Sequence, residues 1–326
     1  MKAILFAKYG PPDVLQLQEV ERPVLKDNDV LVKVHAAALN AADWHLVRGE
    51  PFPVRIILGG LQKPKPMILG ADMAGRVEAV GKNVTLLRPG DDVFGDLSDC
   101  GRGAFAEYVA VPESALVAKP ANITYAAAAA TPMAAVTALQ GLRNIGKIQA
   151  GQKVLINGAS GGVGTFAVQI AKALGAEVTG VASTRKLDML RALGADHVID
   201  YTREDFTRNG QQYDLILAAN GDRSISDYQR ALSPSGVYVM AGGATSQIMQ
   251  AMLLGPVISM TGKKKMSSLM AKPNTKDLAF VAGLLEAGKV RPVIDKSYPL
   301  SAVAEALAYL EQGHAAGKVV IEVQAD

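Results

Sequence analysis

The sequence has one cysteine, Cys100, and one tryptophan, Trp44, in 326 residues. A lone cysteine excludes any disulfide within the chain and any zinc site built from several thiolates. The four histidines, His35, His45, His197 and His314, form no ligand pair at helical spacing. No apolar run reaches the ~20 residues that a membrane-spanning helix requires. The alanine-rich stretch 126–130 is broken by Thr131-Pro132 and reads as a helix start. Excess charge is also scarce. The formal net charge is +3, too mild to point to nucleic acid. Residues 1–8 are too short and too charged for a signal peptide and read as a first strand. These absences leave an ordinary globular chain, long enough for about two domains, and the expected location is cytoplasmic.

What is present centres on Val154-Leu155-Ile156-Asn157-Gly158-Ala159-Ser160-Gly161-Gly162-Val163-Gly164. A short apolar run ends in a glycine-rich turn, and a helical pattern follows at once. Val163, Phe166, Ala167, Ile170, Ala171 and Leu174 recur at helical spacing, and Gly175 marks the stop. A pyrophosphate site needs this order: a tight turn, close backbone approach, and a helix N-terminus with free N–H groups. Ser160, Gly161, Gly162 and Val163 are the candidate contacts. The next apolar run, 178–182, ends in Ser183-Thr184-Arg185-Lys186. An NAD site carries an acidic residue near this point for the ribose 2′-hydroxyl. Here hydroxyls and cations stand instead, which suits a 2′-phosphate and therefore NADPH. Ser183, Thr184 and Arg185 are its candidate ligands, with Lys186 read as solvated.

The chain changes character near residue 125. Before it, short β-branched or alternating runs at 3–7, 30–35, 75–80 and 105–111 are punctuated by glycine and proline, including Gly59-Gly60. Such a pattern predicts a compact barrel-like β domain. After it, helical patterns alternate with apolar runs at 153–157, 177–182, 197–200, 213–218, 236–241 and 257–260. Alternation of this kind predicts a parallel sheet covered on both faces. The last segment reads as helix 276–287, strand 293–295, helix 300–312 and strand 318–323, returning to the first domain. The expected fold is α/β. A doubly wound Rossmann nucleotide domain at 125–266 accompanies a β-barrel domain built from 1–124 and 267–326. Asn220 and Gly242 follow the fourth and fifth strands of the sheet, at the strand ends where ligands of doubly wound sheets collect.

Seven segments stand out: Ala37-Ala38-Leu39-Asn40-Ala41-Ala42-Asp43, Gly70-Ala71-Asp72-Met73-Ala74-Gly75, Gly90-Asp91-Asp92-Val93, Ala106-Glu107-Tyr108, the glycine turn, Leu193-Gly194-Ala195-Asp196-His197-Val198-Ile199-Asp200-Tyr201 and Gly317-Lys318-Val319-Val320. Together they resemble the zinc-free quinone-oxidoreductase, or zeta-crystallin-like, branch of the medium-chain dehydrogenase/reductase superfamily. The resemblance implies that the first domain is GroES-like. It also implies an NADPH-dependent oxidoreductase that passes a hydride to a quinone or an α,β-unsaturated carbonyl. Where the zinc-dependent branch has a cysteine, this chain has Asn40. Where that branch has a His-Glu pair, it has Ala71-Asp72. No metal is therefore expected. The alternative is an NADPH-binding sensor or structural protein with little turnover.

Within this reading Asn40 stabilises charge on the substrate carbonyl or fixes the nicotinamide amide, unless it simply caps a turn. Asp43 orients the local loops or Arg48. Trp44 is a pocket wall or an ordinary core aromatic. His45 stands where the branch often carries a tyrosine, and is a candidate proton donor or a partly exposed loop histidine. Thr137 resembles a family threonine near the nicotinamide, and Tyr201 a tyrosine near the adenosine. Lys318 is a further cofactor candidate. Lys263-Lys264-Lys265 reads as a solvated charge run. A small-molecule substrate, no nucleic acid, no membrane span and a homodimer complete the expectations. The dimer, by analogy with relatives, would join edge strands at 257–260.

Overall fold

The computed structural model describes residues 1–57 and 60–324. Gly59 of the Gly59-Gly60 turn signal, and the last two residues of the 267–326 segment, lie outside the described residues. The chain forms two compact units. One comprises Met1–Met133, Pro273–Glu286 and Pro292–Asp326, the other Ala134–Lys272 and Ala287–Arg291.

The first unit begins with eight strands: β1 (Lys2–Phe6), β2 (Gln16–Glu19), β3 (Asp29–Ala38), β4 (Met67–Ile68), β5 (Asp72–Val80), β6 (Asp92–Asp96), β7 (Tyr108–Pro112) and β8 (Leu116–Ala118). Alternation makes β3 a half-buried strand: Val30, Val32 and Val34 are fully buried while their neighbours are half exposed. Short helices α1 (Ala41–Arg48), α2 (Pro53–Ile57) and α3 (Tyr125–Ala129) interrupt or follow the strands. α4 (Pro132–Leu139) then begins at the Thr131-Pro132 signal, where proline suits a first helical turn.

The second unit is built on β9 (Lys153–Asn157), β10 (Glu177–Ala182), β11 (His197–Asp200), β12 (Tyr213–Ala218), β13 (Leu232–Met240) and β14 (Lys265–Ser268). They form one six-stranded sheet in the order β11-β10-β9-β12-β13-β14, with every pair parallel. Val154, Leu155 and Ile156 are all buried, as a strand covered on both faces requires. Helices α5 (Gly162–Ala173), α6 (Leu187–Ala192), α7 (Ile225–Ala231) and α8 (Thr245–Thr261) connect the strands. The apolar run 257–260, expected as a strand, lies inside α8, and the edge strand is β14. A short apolar run carries no period of its own, and here the flanking Ile248, Met249, Met252 and Leu253 extend it as helix.

The chain then adds α9 (Thr275–Glu286), β15 (Ile294–Pro299), α10 (Val303–Glu311) and β16 (Lys318–Glu322). β16 pairs antiparallel with β3 and parallel with β15, so the C-terminal segment completes the sheet of the first unit. That sheet runs β15-β16-β3-β5-β6-β8, with β7 on the side of β3. Its core joins Val32, Val34, Met73 and Phe105 to Val303, Leu307, Val319 and Ile321. The pairing of β16 with β3 and of β3 with β5 sets Lys318, Asn40 and Asp72 at neighbouring strand ends, although 278 positions separate Lys318 from Asn40.

Candidate active site

In the first unit, Asn40 follows β3 and precedes the first turn of α1, where its extended backbone suits an N-cap. Its backbone N–H donates to Asp43 Oδ2 at 2.7 Å, the reciprocal half of a capping box. Asp43 is thus a helix-capping residue. Of the two orienting roles expected of Asp43, it takes the local one, while Arg48 holds Glu311 through Nε at 2.8 Å and Nη2 at 2.9 Å. Burial pushes the Asp43 carboxyl up to about 6, against the Asn40 N–H that favours its ionised form.

The Asn40 side chain meets two further groups. Its Nδ2 donates to Asp72 Oδ2 at 2.9 Å, and its Oδ1 accepts from Lys318 Nζ at 2.6 Å. Lys318 Nζ also donates to Asp72 Oδ2 at 3.2 Å, and the Met133 N–H donates to Asp72 Oδ1 at 2.9 Å. All three side chains are buried: Asn40 is 8% exposed, Asp72 0% and Lys318 3%. These bonds engage one of the two amide hydrogens of Asn40 and two of the three ammonium hydrogens of Lys318. Burial pushes the Asp72 carboxyl up to about 7, opposed by the Lys318 ammonium and helped by the charge of Asp96. The sequence marks Asn40 and Lys318 as candidates but assigns no role to Asp72, which ties them together. Its signal was a lone charge within Met67-Ile68-Leu69-Gly70-Ala71-Asp72-Met73-Ala74. A buried charge needs a partner.

This donor set does not fit a catalytic zinc. Zinc takes thiolate, imidazole or carboxylate ligands, and here the oxygens of Asn40 and Asp72 already receive a lysine ammonium. Among the described residues no group of three or more His, Cys, Asp or Glu side chains converges on one point.

His45 lies on α1 rather than in a loop, and its ring stacks on Trp44 with centroids 3.6 Å apart. Its Nδ1 lies 2.8 Å from the Glu50 carbonyl, so Nδ1 carries the hydrogen. Nε2 of the neutral ring is then an acceptor, and only the imidazolium could donate a proton from it.

In the second unit, the glycine turn joins β9 to α5. Gly158 has φ 77°, and a Cβ there would sit 2.7 Å from the Asn220 side chain. A Cβ on Gly164 would meet the Gly158 carbonyl at 2.1 Å, so only glycine lets this helix pack so close to the strand. Gly161 is the N-cap of α5, with no side-chain cap and no acidic residue in the first turn. The first N–H groups of the helix therefore suit an anion. Ser160, Gly162 and Val163 flank that N-terminus. Asn220 and Gly242 follow β12 and β13 at the carboxyl ends of these neighbouring parallel strands. Thr137 is buried within α4.

Ser183, Thr184 and Arg185 follow β10, and Tyr201 follows β11. The two segments touch, because the Tyr201 N–H donates to the Ala182 carbonyl at 3.2 Å. Arg185 and Tyr201 are exposed. The Thr184 hydroxyl donates to Asp200 Oδ2, a bond that the sequence did not suggest. The lysine run is not a uniformly solvated face. Lys264 Nζ reaches the Gln229 carbonyl at 2.7 Å and Lys265 Nζ the Ser259 carbonyl at 2.8 Å.

Comparison with known proteins bears on this geometry. The family described as alcohol dehydrogenase GroES-like domain matches residues 26–121, and the one described as zinc-binding dehydrogenase matches residues 193–321. A quinone-oxidoreductase homolog, chloroplastic, from Spinacia oleracea is 34% identical over 99% of this chain and 98% of its own length. The chain belongs to the medium-chain dehydrogenase/reductase superfamily, in its quinone-oxidoreductase branch. Within that superfamily the NADPH-dependent alkenal/one oxidoreductase, chloroplastic, of Arabidopsis thaliana is 35% identical over 98% of this chain and 79% of its own length. The structure of the quinone oxidoreductase from Coxiella burnetii superposes with a TM-score of 0.88 at 32% identity, covering 99% of both chains. The superfamily's two-part architecture, a GroES-like domain with a Rossmann-like parallel sheet, is the one expected from the sequence. The cytoplasmic expectation is overturned: both plant relatives named here carry a chloroplastic location. No helix among the described residues is long and apolar enough to cross a membrane.

Proposed function

We propose that the chain is a zinc-independent, NADPH-dependent reductase of quinones or α,β-unsaturated carbonyls. The observation that carries the proposal is the buried Asn40–Asp72–Lys318 cluster, in which an ammonium stands against the oxygens that a metal would need. Without a metal Lewis acid, alcohol oxidation lacks its usual electrophile. Reduction of a double bond conjugated to a carbonyl is easier, because the substrate delocalises the incoming charge. The nicotinamide, when bound, supplies a hydride to the electron-poor carbon. Asn40 and Lys318 each retain an N–H for the carbonyl oxygen on which negative charge develops, the role of an oxyanion hole. Asp72 and the Asp43 cap hold Asn40 in place for it. Cofactor binding falls to the α5 N-terminus with Ser160, Gly161, Gly162 and Val163, to Ser183 and Arg185 at the 2′-phosphate, and to Tyr201 near the adenosine. Thr137, Asn220 and Gly242 are further contacts. The relatives named for quinones and alkenals support this substrate class.

The reading extends to a homodimer. β14 is an edge strand, and α8 exposes Met252, Leu253, Val257 and Met260. An unpaired edge beside an apolar patch suits a second copy. Sedimentation at micromolar concentration should give twice the chain mass, and a monomer would end the dimer reading.

The function is tested by NADPH oxidation across a panel of quinones, enones and alkenals. Turnover is expected on some members, unchanged by chelator, with no stoichiometric metal by elemental analysis. Tight NADPH binding without turnover on any member would favour a sensor or structural protein instead.

A further inference from the structure

We propose that Arg203 is a second cation for the cofactor's 2′-phosphate, and that Asp200 positions it. The inference rests on the NADPH reading above. Ala182 of β10 stands opposite Asp200 of β11, so the segments 183–186 and 201–203 leave the sheet side by side. Asp200 is the post between them. Its Oδ1 accepts the Thr202 hydroxyl at 2.7 Å and the Thr202 N–H at 3.0 Å. Its Oδ2 accepts the Thr184 hydroxyl and lies 3.6 Å from Arg203 Nε. The carboxylate side chain is only 9% exposed, whereas the Arg203 side chain is 76% exposed. The Thr184 hydrogen bond, first among several, holds the Asp200 carboxyl below its usual range.

Two consequences follow. A hydroxyl has a single hydrogen to donate. That of Thr184 goes to Asp200, so Thr184 offers an incoming phosphate lone pairs rather than a donor. Thr184 is therefore part of the frame, and the donors must come from elsewhere. Arg203 meets Asp200 at the same oxygen as Thr184, which sets its guanidinium beside the 183–186 segment. The closest approach is through Nε, and the 76% exposure of the side chain leaves the guanidinium open to a ligand. Paired terminal N–H groups are the geometry with which arginine grips phosphate. The second consequence concerns charge. An ionised carboxylate at the rim of a phosphate site repels the ligand unless a cation covers it. Arg203 is that cover, so its loss both removes a donor and uncovers Asp200.

The test uses 2′,5′-ADP and 5′-AMP as probes, with binding measured by calorimetry at fixed ionic strength on the full chain. The wild type should prefer 2′,5′-ADP by tenfold or more. Arg203→Ala should weaken 2′,5′-ADP at least tenfold and change 5′-AMP less than twofold. Arg208→Ala removes a neighbouring exposed cation that pairs with Asp205, and should change neither. In an Asp200→Asn background the effect of Arg203→Ala should shrink, since no carboxylate is left to uncover. A wild type without preference for 2′,5′-ADP overturns the NADPH reading itself. A preference that survives Arg203→Ala, that Arg208→Ala removes equally, or that shows no coupling to Asp200 overturns this inference alone.

Discussion

Lys318 donates to Asn40 Oδ1 at 2.6 Å, joining two residues 278 positions apart in a site neither could form alone. Asp72 is the third member, and the buried ion pair it makes with Lys318 has a testable energetic signature. Breaking one side of such a pair leaves an uncompensated buried group and typically costs about 3–5 kcal/mol. Lys318→Met should therefore lower the unfolding free energy by about 3 kcal/mol at pH 8. Adding Asp72→Asn should recover part of that loss, because an amide needs no counter-charge. Urea unfolding of the two variants decides the matter, and a double variant no more stable than the single one would contradict an ionised pair.

The nucleotide half was legible because its signals are local. The strands 153–157, 177–182, 197–200 and 213–218 are bounded in the structure as the apolar runs implied. Gly164 has a steric reason within seven residues of chain, the Gly158 carbonyl, whereas the clash that reserves position 158 for glycine comes from distant Asn220. The Asn40 cluster was legible only in pieces. Asn40 and Lys318 drew notice through resemblance, but their contact depends on β16 pairing with β3, a long-range event that no local pattern encodes. Residues 257–260 are helix rather than strand for a local reason: a four-residue apolar run contains too little period to separate the two.

Asp43 gives a pH dependence with a definite sign. Its folded pKa is raised to about 6 by burial, so protonation favours the folded state. The stabilisation is complete below the unfolded value near 4 and is lost as pH rises through about 6. Asp43→Asn keeps an acceptor for the Asn40 N–H but cannot ionise. Between pH 4.5 and 7.5 the wild type should lose about 2 kcal/mol relative to this variant. Parallel urea curves for wild type and variant at the two pH values would refute the assignment.

Gly158→Ala tests the turn. At φ 77° an alanine is strained by about 1–2 kcal/mol, and its Cβ would lie 2.7 Å from the Asn220 side chain. The turn must shift, and with it the N–H groups at the start of α5. NADPH affinity should fall by at least tenfold, with NADH affected equally because the pyrophosphate is common to both. Fluorescence titration of the two cofactors checks this, and a loss confined to NADPH would place the fault at the 2′-phosphate instead.

Asn40 is where stabilisation of the substrate can be separated from binding of the cofactor. If its amide N–H serves the developing oxyanion, it acts mainly in the transition state, and its removal lowers kcat. If it fixes the nicotinamide amide, its removal raises the KM for NADPH with less effect on kcat. Asn40→Ala also withdraws an acceptor from Lys318, and Asn40→Asp would set a second carboxyl against Asp72, so Asn40→Ser is the informative companion. Its hydroxyl can accept from the ammonium and donate to Asp72 but leaves no N–H for the substrate. We expect kcat to fall by about 10²–10³ in Asn40→Ser, with the KM for NADPH within threefold of wild type. Steady-state rates with a quinone at saturating NADPH measure the first quantity, and a cofactor titration at saturating quinone the second. A large KM effect with kcat preserved would move Asn40 from the substrate carbonyl to the nicotinamide, leaving Lys318 as the donor to the oxyanion.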